Sequence, residues 1–307
     1  MKILITGSNG LLGQKLVYQL RGKPDNMCIA TARGENRLVK RDGYVYETLD
    51  ITDKNNVEQV FSKHLPDVVI NTAAMTNVDA CETEKEACWQ MNVTAVDNQV
   101  RTLEGLKNKN YNPHFIHLST DFIFDGTHGP LDENEKPNPL SYYAESKLAA
   151  EKIVQGCSLD WAIARTVLVF GIVDNMSRSN IVLWVKSNLE QGKTINVVDD
   201  QFRTPTLAED LAAGCLLIAE KKAKGIYNIS GKDFLSILEL ANLVADYYGL
   251  DKSLIKPSKS ADIKQPAKRP PITGFIIDKA VKELNYAPHS FTEGIKILQD
   301  QINAMGK

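Results

Sequence analysis

The chain has 307 residues, 43% of them hydrophobic and 24% charged, with 36 lysines and arginines against 38 aspartates and glutamates. That length suits one large α/β domain, or a large domain with a small lobe. A formal net charge of -2 argues against nucleic acid as a partner, and no run approaches the roughly 18 continuous apolar residues of a membrane span.

The chain opens with an apolar run, Ile3 to Ile5, that stops at Gly7; glycines recur at Gly10 and Gly13, and a helical pattern follows through Leu16, Val17 and Leu20. This predicts a buried strand, a turn only glycine can make, and a helix whose first N–H groups point at whatever sits above the turn. Such a turn suits a dinucleotide pyrophosphate, which takes both the donors and the partial positive charge of the helix start. The opening shows no signal-peptide h-region, because glycines interrupt the apolar run. Further strands are predicted at 27–32, 44–48, 67–71, 114–119 and 161–166, and helices at 53–63, 85–107 and 142–155. Strand–helix alternation implies parallel pairing with right-handed crossovers. Beyond it, 171–179 reads as a loop and 181–189 as an amphipathic helix. Ser236 and Glu239 form a capping box opening a helix that ends at Gly249, and the lysine- and proline-rich stretch 256–271 reads as a loop.

The expected fold is therefore α/β: a Rossmann-type doubly wound parallel sheet with helices on both faces, plus a smaller C-terminal α/β lobe. Residues 1–170 are expected to form the cofactor domain, with 200–224 returning to it, while 171–199 and 225–307 form the substrate-binding lobe. Cys28, Cys81, Cys88, Cys157 and Cys215 are odd in number and scattered, as expected of reduced thiols in a cytoplasmic protein. Five histidines without ligand spacing predict no metal.

Ligands bind such sheets at the carboxyl ends of the strands. The first turn offers Gly7, Asn9, Gly10, Leu11, Leu12 and Gly13. After the second strand stands Arg33 where an NAD site usually has an acidic residue, so NADP(H) is favoured and NAD(H) is the alternative. Asp50 and Ile51 follow the third strand and could bracket an adenine. Ala73 and Ala74 follow the fourth and let backbone approach a ligand. Asn92, inside the next helix, either faces solvent or bonds something specific. The fifth strand ends in Ser119, Thr120 and Asp121, a hydroxyl suited to a substrate carbonyl. Tyr143 and Lys147, four apart on one helix, share a face, and the ammonium is expected to lower the phenol pKa. Tyr142 has Ser146 at that spacing and cannot form the pair.

In this order the pieces resemble an extended short-chain dehydrogenase/reductase of the dTDP-4-dehydrorhamnose reductase subgroup. The resemblance rests on Gly7-Ser-Asn-Gly10-Leu-Leu-Gly13, 71–79, Leu118-Ser-Thr-Asp-Phe-Ile-Phe-Asp-Gly126 and Tyr143-Ala-Glu-Ser-Lys147. It implies an enzyme that reduces the 4-keto group of a nucleotide-linked 6-deoxyhexose with NADPH, most simply dTDP-4-dehydro-L-rhamnose to dTDP-L-rhamnose. Thr120, Tyr143 and Lys147 would be the catalytic set. Thr76, Val78, Asp121, Asn180, Arg203 and Arg269 would face the substrate, the arginines on its diphosphate. The nucleotide sugar is then the partner, without nucleic acid or membrane, and a homodimer stays open. Three departures fall on the substrate side: Leu168 replaces the family tryptophan, Phe202-Arg203-Thr204 replaces a glycine element, and Pro271-Ile-Thr-Gly follows Arg269-Pro270 poorly. Two other readings stay open. One is a different nucleotide-sugar reductase or epimerase. The other is a non-catalytic NADP-binding regulatory subunit resembling the β subunit of methionine adenosyltransferase, whose flavour 201–206 carries.

Overall fold

The structure is a computed structural model and describes residues 1–176 and 179–305. The N-terminal half alternates as the sequence predicts. In chain order come β1 (Lys2–Thr6), α1 (Leu11–Leu20), β2 (Met27–Ala32), β3 (Val45–Thr48), α2 (Lys54–His64), β4 (Val68–Asn71), α3 (Val78–Thr83), α4 (Lys85–Trp89) and α5 (Ala95–Leu106). After them come β5 (His114–Thr120), α6 (Tyr142–Gly156), β6 (Asp160–Thr166), β7 (Val169–Phe170), α7 (Ile181–Glu190), β8 (Ile195–Val198), β9 (Phe202–Arg203), β10 (Thr206–Leu207), α8 (Ala208–Lys221) and β11 (Gly225–Asn228). The chain closes with β12 (Leu235–Ser236), α9 (Ile237–Tyr248), β13 (Ile255–Ser258) and α10 (Phe291–Met305).

Seven strands form one sheet in the order β11-β6-β5-β4-β1-β2-β3, every pairing parallel. Strand order reverses between β1 and β4, where the carboxyl ends diverge and leave a crevice. Each face is closed by its own apolar layer. Leu16, Val17 and Leu20 of α1 meet Leu211, Ala212 and Cys215 of α8 on one side, and Val57 and Phe61 of α2 meet Val96, Val100 and Val154 on the other. β11 joins this sheet at its edge, so the chain's return to it extends through Asn228.

A third apolar cluster lies outside the sheet. It joins Val182, Val185 and Leu189 of α7, Ile195 and Val197 of β8, Leu240 and Val244 of α9, and Ile295 and Leu298 of α10. Ser236 and Glu239 make the predicted capping box, and Gly249 closes the helix at φ 63. Two local features depart from the sequence expectation. The span 85–107 is broken into α4, a π-helical turn over Gln90–Thr94, and α5. The stretch 256–271 begins inside a strand, since β13 pairs parallel with β8, its proline falling where the edge tolerates it. The predicted loop 171–179 is irregular where described; residues 177 and 178 lie outside the described residues. Among the described residues no helix is long and apolar enough to cross a membrane. All five cysteines are free thiols.

Candidate active site

The turn after β1 is built by close approach. Gly7 has φ +70, and a side chain there would meet the Ala73 nitrogen at 2.8 Å; one at Gly13 would meet the Gly7 carbonyl oxygen at 2.3 Å. Both positions therefore need glycine. Gly10 caps α1 without a side-chain bond, and no acidic residue occupies the first turn. The helix start thus keeps its donors and positive end for an anion, which fits the pyrophosphate of a dinucleotide. Leu11 and Leu12 are half-buried, and Leu12 packs on the α1 side of the core. The Asn9 amide is spent on the loop after β2: it donates to the Glu35 carbonyl at 2.8 Å and accepts from Arg37 N at 2.9 Å. A second segment braces this loop, with Asp174 accepting from Val39 N at 2.9 Å and from the Tyr18 hydroxyl.

Arg33 stands at the tip of β2 in solvent, its side chain 72% exposed and 4.0 Å from the Asp50 carboxylate. Asp50 also takes the Thr52 backbone N–H and hydroxyl. Ile51 corrects the expectation of an adenine bracket: its side chain turns into the core beside Val57 and Phe61, leaving Asp50 alone at the surface. Ala73 and Ala74 are half-buried at the end of β4. The Asn92 side chain is buried. The π-helical turn swings its amide onto Met75, accepting from N at 2.8 Å and donating to O at 3.1 Å, and it donates to Ser146 Oγ at 3.0 Å. It shapes the segment that follows β4.

Thr120, Tyr143 and Lys147 meet at the end of β5. Ser141 caps α6, fixing the helix start, and places Tyr143 and Lys147 one turn apart and buried. The Thr120 hydroxyl stands close enough to the Tyr143 phenol to draw its pKa down; it donates to Asp121 Oδ1 at 3.1 Å and accepts from Phe122 N at 3.2 Å. Lys147 Nζ donates to the Leu118 carbonyl at 2.6 Å. Burial pulls the Lys147 ammonium down to about 8, against the Glu151 carboxylate. The phenol behaves otherwise than the spacing argument expects. Burial pushes Tyr143 up, and the Thr120 hydroxyl opposes it only in part, so the phenol is held neutral.

The substrate-side residues divide. Thr76 is exposed and Val78 half-buried beside the layer holding Cys81, Cys88 and Tyr143. Asp121 is buried, accepting from Thr273 Oγ1 at 2.5 Å with Arg203 Nε at 3.7 Å; burial raises its pKa. Arg203 is the clearest departure. It is 3% exposed, and its guanidinium donates to the carbonyls of Phe202, Pro270 and Pro271 at 2.7 to 2.9 Å. Those donors hold the chain segment 270–271 and are not offered to a diphosphate. Arg269 makes a two-point pair with Asp79, at 2.7 and 3.2 Å, clasping the same segment to α3 while staying partly exposed. The Asn180 amide caps α7 through Val182 N and Leu183 N and donates to the Gly171 carbonyl. Leu168 sits at φ 39, a left-handed conformation unusual for a branched side chain.

Sequence reasoning missed Asn71, His117 and Thr273. His117 could have been noticed: it precedes Ser119 by two residues and so shares its face of β5. Among the described residues no group of acidic, histidine or cysteine side chains could hold a metal.

The chain matches the family described as the RmlD substrate binding domain over residues 1–303. It is similar to a probable low-salt glycan biosynthesis reductase, Agl14, of Haloferax volcanii, 30% identical and covering 97% of each chain. It is also similar to the β subunit of bovine methionine adenosyltransferase 2, 29% identical over 83% of this chain and 75% of that one. Among solved structures, a dTDP-4-dehydrorhamnose reductase of Clostridium acetobutylicum superposes with a TM-score of 0.84, 27% identical over 99% of this chain and 100% of that one. The parallel sheet, the glycine turn and the Tyr143–Lys147 helix thus belong to a member of the RmlD family within the extended short-chain dehydrogenase/reductases, an NAD(P)-dependent oxidoreductase.

Proposed function

We propose that the protein reduces the 4-keto group of a nucleotide-linked 6-deoxyhexose, with dTDP-4-dehydro-L-rhamnose the first substrate to try, and that it prefers NADPH. The observation carrying this reading is the meeting of Thr120, Tyr143 and Lys147 beside a glycine turn shaped for a dinucleotide. The turn and the start of α1 would hold the pyrophosphate, and Arg33 would take a 2′-phosphate. When bound, a reduced nicotinamide supplies the hydride.

The chain's own work is proton delivery. A phenol kept neutral by burial is the right form for donating to a ketone oxygen as that oxygen gains negative charge. Thr120 stands beside the phenol and would offer the same ketone oxygen a second contact once its hydroxyl turns from Asp121. Lys147, anchored on the Leu118 carbonyl, lies one helical turn from the phenolate left behind and favours it when charged. Asp121 is tied to Thr273 and so keeps Thr120 in place.

The test is NADPH oxidation with that sugar nucleotide, run beside NADH and Tyr143→Phe. Turnover that prefers NADPH and falls roughly 100-fold or more without the hydroxyl supports the reading. Near-normal turnover in Tyr143→Phe removes Tyr143 as the donor. A second reading, an NADP-binding regulatory subunit, is favoured by Leu168 in the place of the family tryptophan. NADPH binding without turnover on any 4-keto sugar nucleotide would support it.

A further inference from the structure

The face of β5 turned toward α6 carries a buried chain of polar groups that the proposed reaction does not use. Gln99 Nε2 donates to the Ala95 carbonyl at 3.0 Å, which fixes that amide, and to Asn71 Oδ1 at 3.3 Å. Thr6 Oγ1 donates to the same oxygen at 2.6 Å. With its oxygen so placed, Asn71 must turn its Nδ2 toward His117 Nδ1, 3.1 Å away. An amide NH₂ only donates, so His117 Nδ1 accepts and the neutral ring carries its proton on Nε2. That nitrogen lies 3.3 Å from Lys147 Nζ. An ammonium has no acceptor, so ring N–H and ammonium oppose each other, whereas an uncharged amine accepts from the ring and still donates to Leu118. His117 is 1% and Lys147 3% exposed, so bulk water screens the contact little.

We propose that His117 is a positioning residue for Lys147: locked by Asn71 with its proton on Nε2, its ring N–H bears on Nζ and biases the lysine toward the uncharged amine. The bias acts among identified charges. Glu151 on the same helix and the Cys88 thiol of α4 favour the ammonium, and Glu151 is itself paired with Arg165 of β6 at 2.7 Å. Burial acts with His117, and burial together with Lys147 holds the imidazole well below its ordinary pKa. Burial alone already brings Lys147 down to about 8, and the His117 ring N–H bears on the same amine in the same direction. The consequence for turnover rests on the proposed role of Tyr143 and Lys147; the state of the ring does not.

The experiment labels the whole protein with ¹⁵N-histidine and ¹³Cε-lysine, assigning His117 by His117→Phe and Lys147 by Lys147→Met. The ¹⁵N spectrum is expected to show the Nε2–H tautomer unchanged between about pH 6 and 9, with the lysine midpoint near about 8. Asn71→Asp supplies an acceptor in place of the donor. It should invert the ring to Nδ1–H and move the lysine midpoint, and the alkaline limb of kcat/KM with it, upward by about one pH unit or more. A wild-type ring with Nδ1–H, a ring protonated at about pH 6, or a ring that Asn71→Asp fails to invert would overturn the proposal. If Asn71→Asp does not fold, the wild-type spectrum decides by itself. The expected tautomer and midpoint in a protein without turnover would leave this proposal standing and sink the substrate reading alone.

Discussion

Arg33 and Arg203 show what a residue type can and cannot announce. Both are arginines near strand ends, and both looked fit for phosphate. Arg33 is in solvent with one weak pairing, so it is available to a 2′-phosphate. Arg33→Ala should lower the ratio of kcat/KM for NADPH over NADH by roughly 10- to 100-fold, the worth of one charge-assisted bond. A ratio that does not move would assign cofactor choice elsewhere. Arg203 is inside, giving its donors to three backbone carbonyls and its charge to Asp121. Arg203→Met should therefore cost on the order of 3 kcal/mol in denaturant unfolding, leaving a buried carboxylate unpaired. A surface arginine serving only a ligand would cost almost nothing. Charge is written in the sequence and depth is not. Thr120, Tyr143 and Lys147 were legible because spacing along one strand and one helix fixes which side chains converge. His117 shares a face of β5 with Ser119, but its link to Asn71 crosses between strands, and nothing along the chain announces that.

At the scale of elements, six strands of the sheet were readable, buried parallel strands being largely apolar runs, while the edge strand β11 was not and fell within the span expected to form the lobe. The two-residue strands β7, β9, β10 and β12 carry too little pattern to be seen, and the π-helical turn at Gln90–Thr94 adds one residue per turn without altering composition. That turn sets the Asn92 amide on Met75, so Asn92→Ala should loosen the segment after β4 and raise the KM for cofactor more than it lowers kcat. Equal effects on both would deny it this role. Gly13→Ala is expected to abolish cofactor binding in a protein that still folds, because the added carbon would sit 2.3 Å from the Gly7 carbonyl oxygen. Cofactor titration by fluorescence, beside circular dichroism, would decide it.

The whole molecule has a built-in acid sensitivity. Burial lowers His114 from its ordinary value to about 4, and burial with the Lys147 charge holds His117 well below its own. The unfolded chain takes up these protons below about pH 6.5, and the folded one does not until far lower. Stability is therefore full above about pH 6.5 and falls as pH drops toward 4, with His114 alone contributing on the order of 3 kcal/mol across that window. Urea unfolding at neutral and acid pH should show the loss, and His114→Gln should flatten it. An unchanged acid limb in that variant would place the sensitivity elsewhere.

The lobe and the sheet share one further tie. Lys15 of α1 donates to Gln301 Oε1 of α10 at 2.8 Å and pairs with Glu209 of α8 at 2.7 Å, while Gln301 donates to Glu209 at 2.5 Å. The contact joins residues 286 apart. At synthesis rates of about 5–20 residues per second, some 15–60 s separate the two partners' appearance. The first helix to leave the ribosome is thus the last to be fully secured. Glu209 is made before Gln301, so Lys15 gains its ion pair first, and α1 completes its packing only once almost the whole chain has been made.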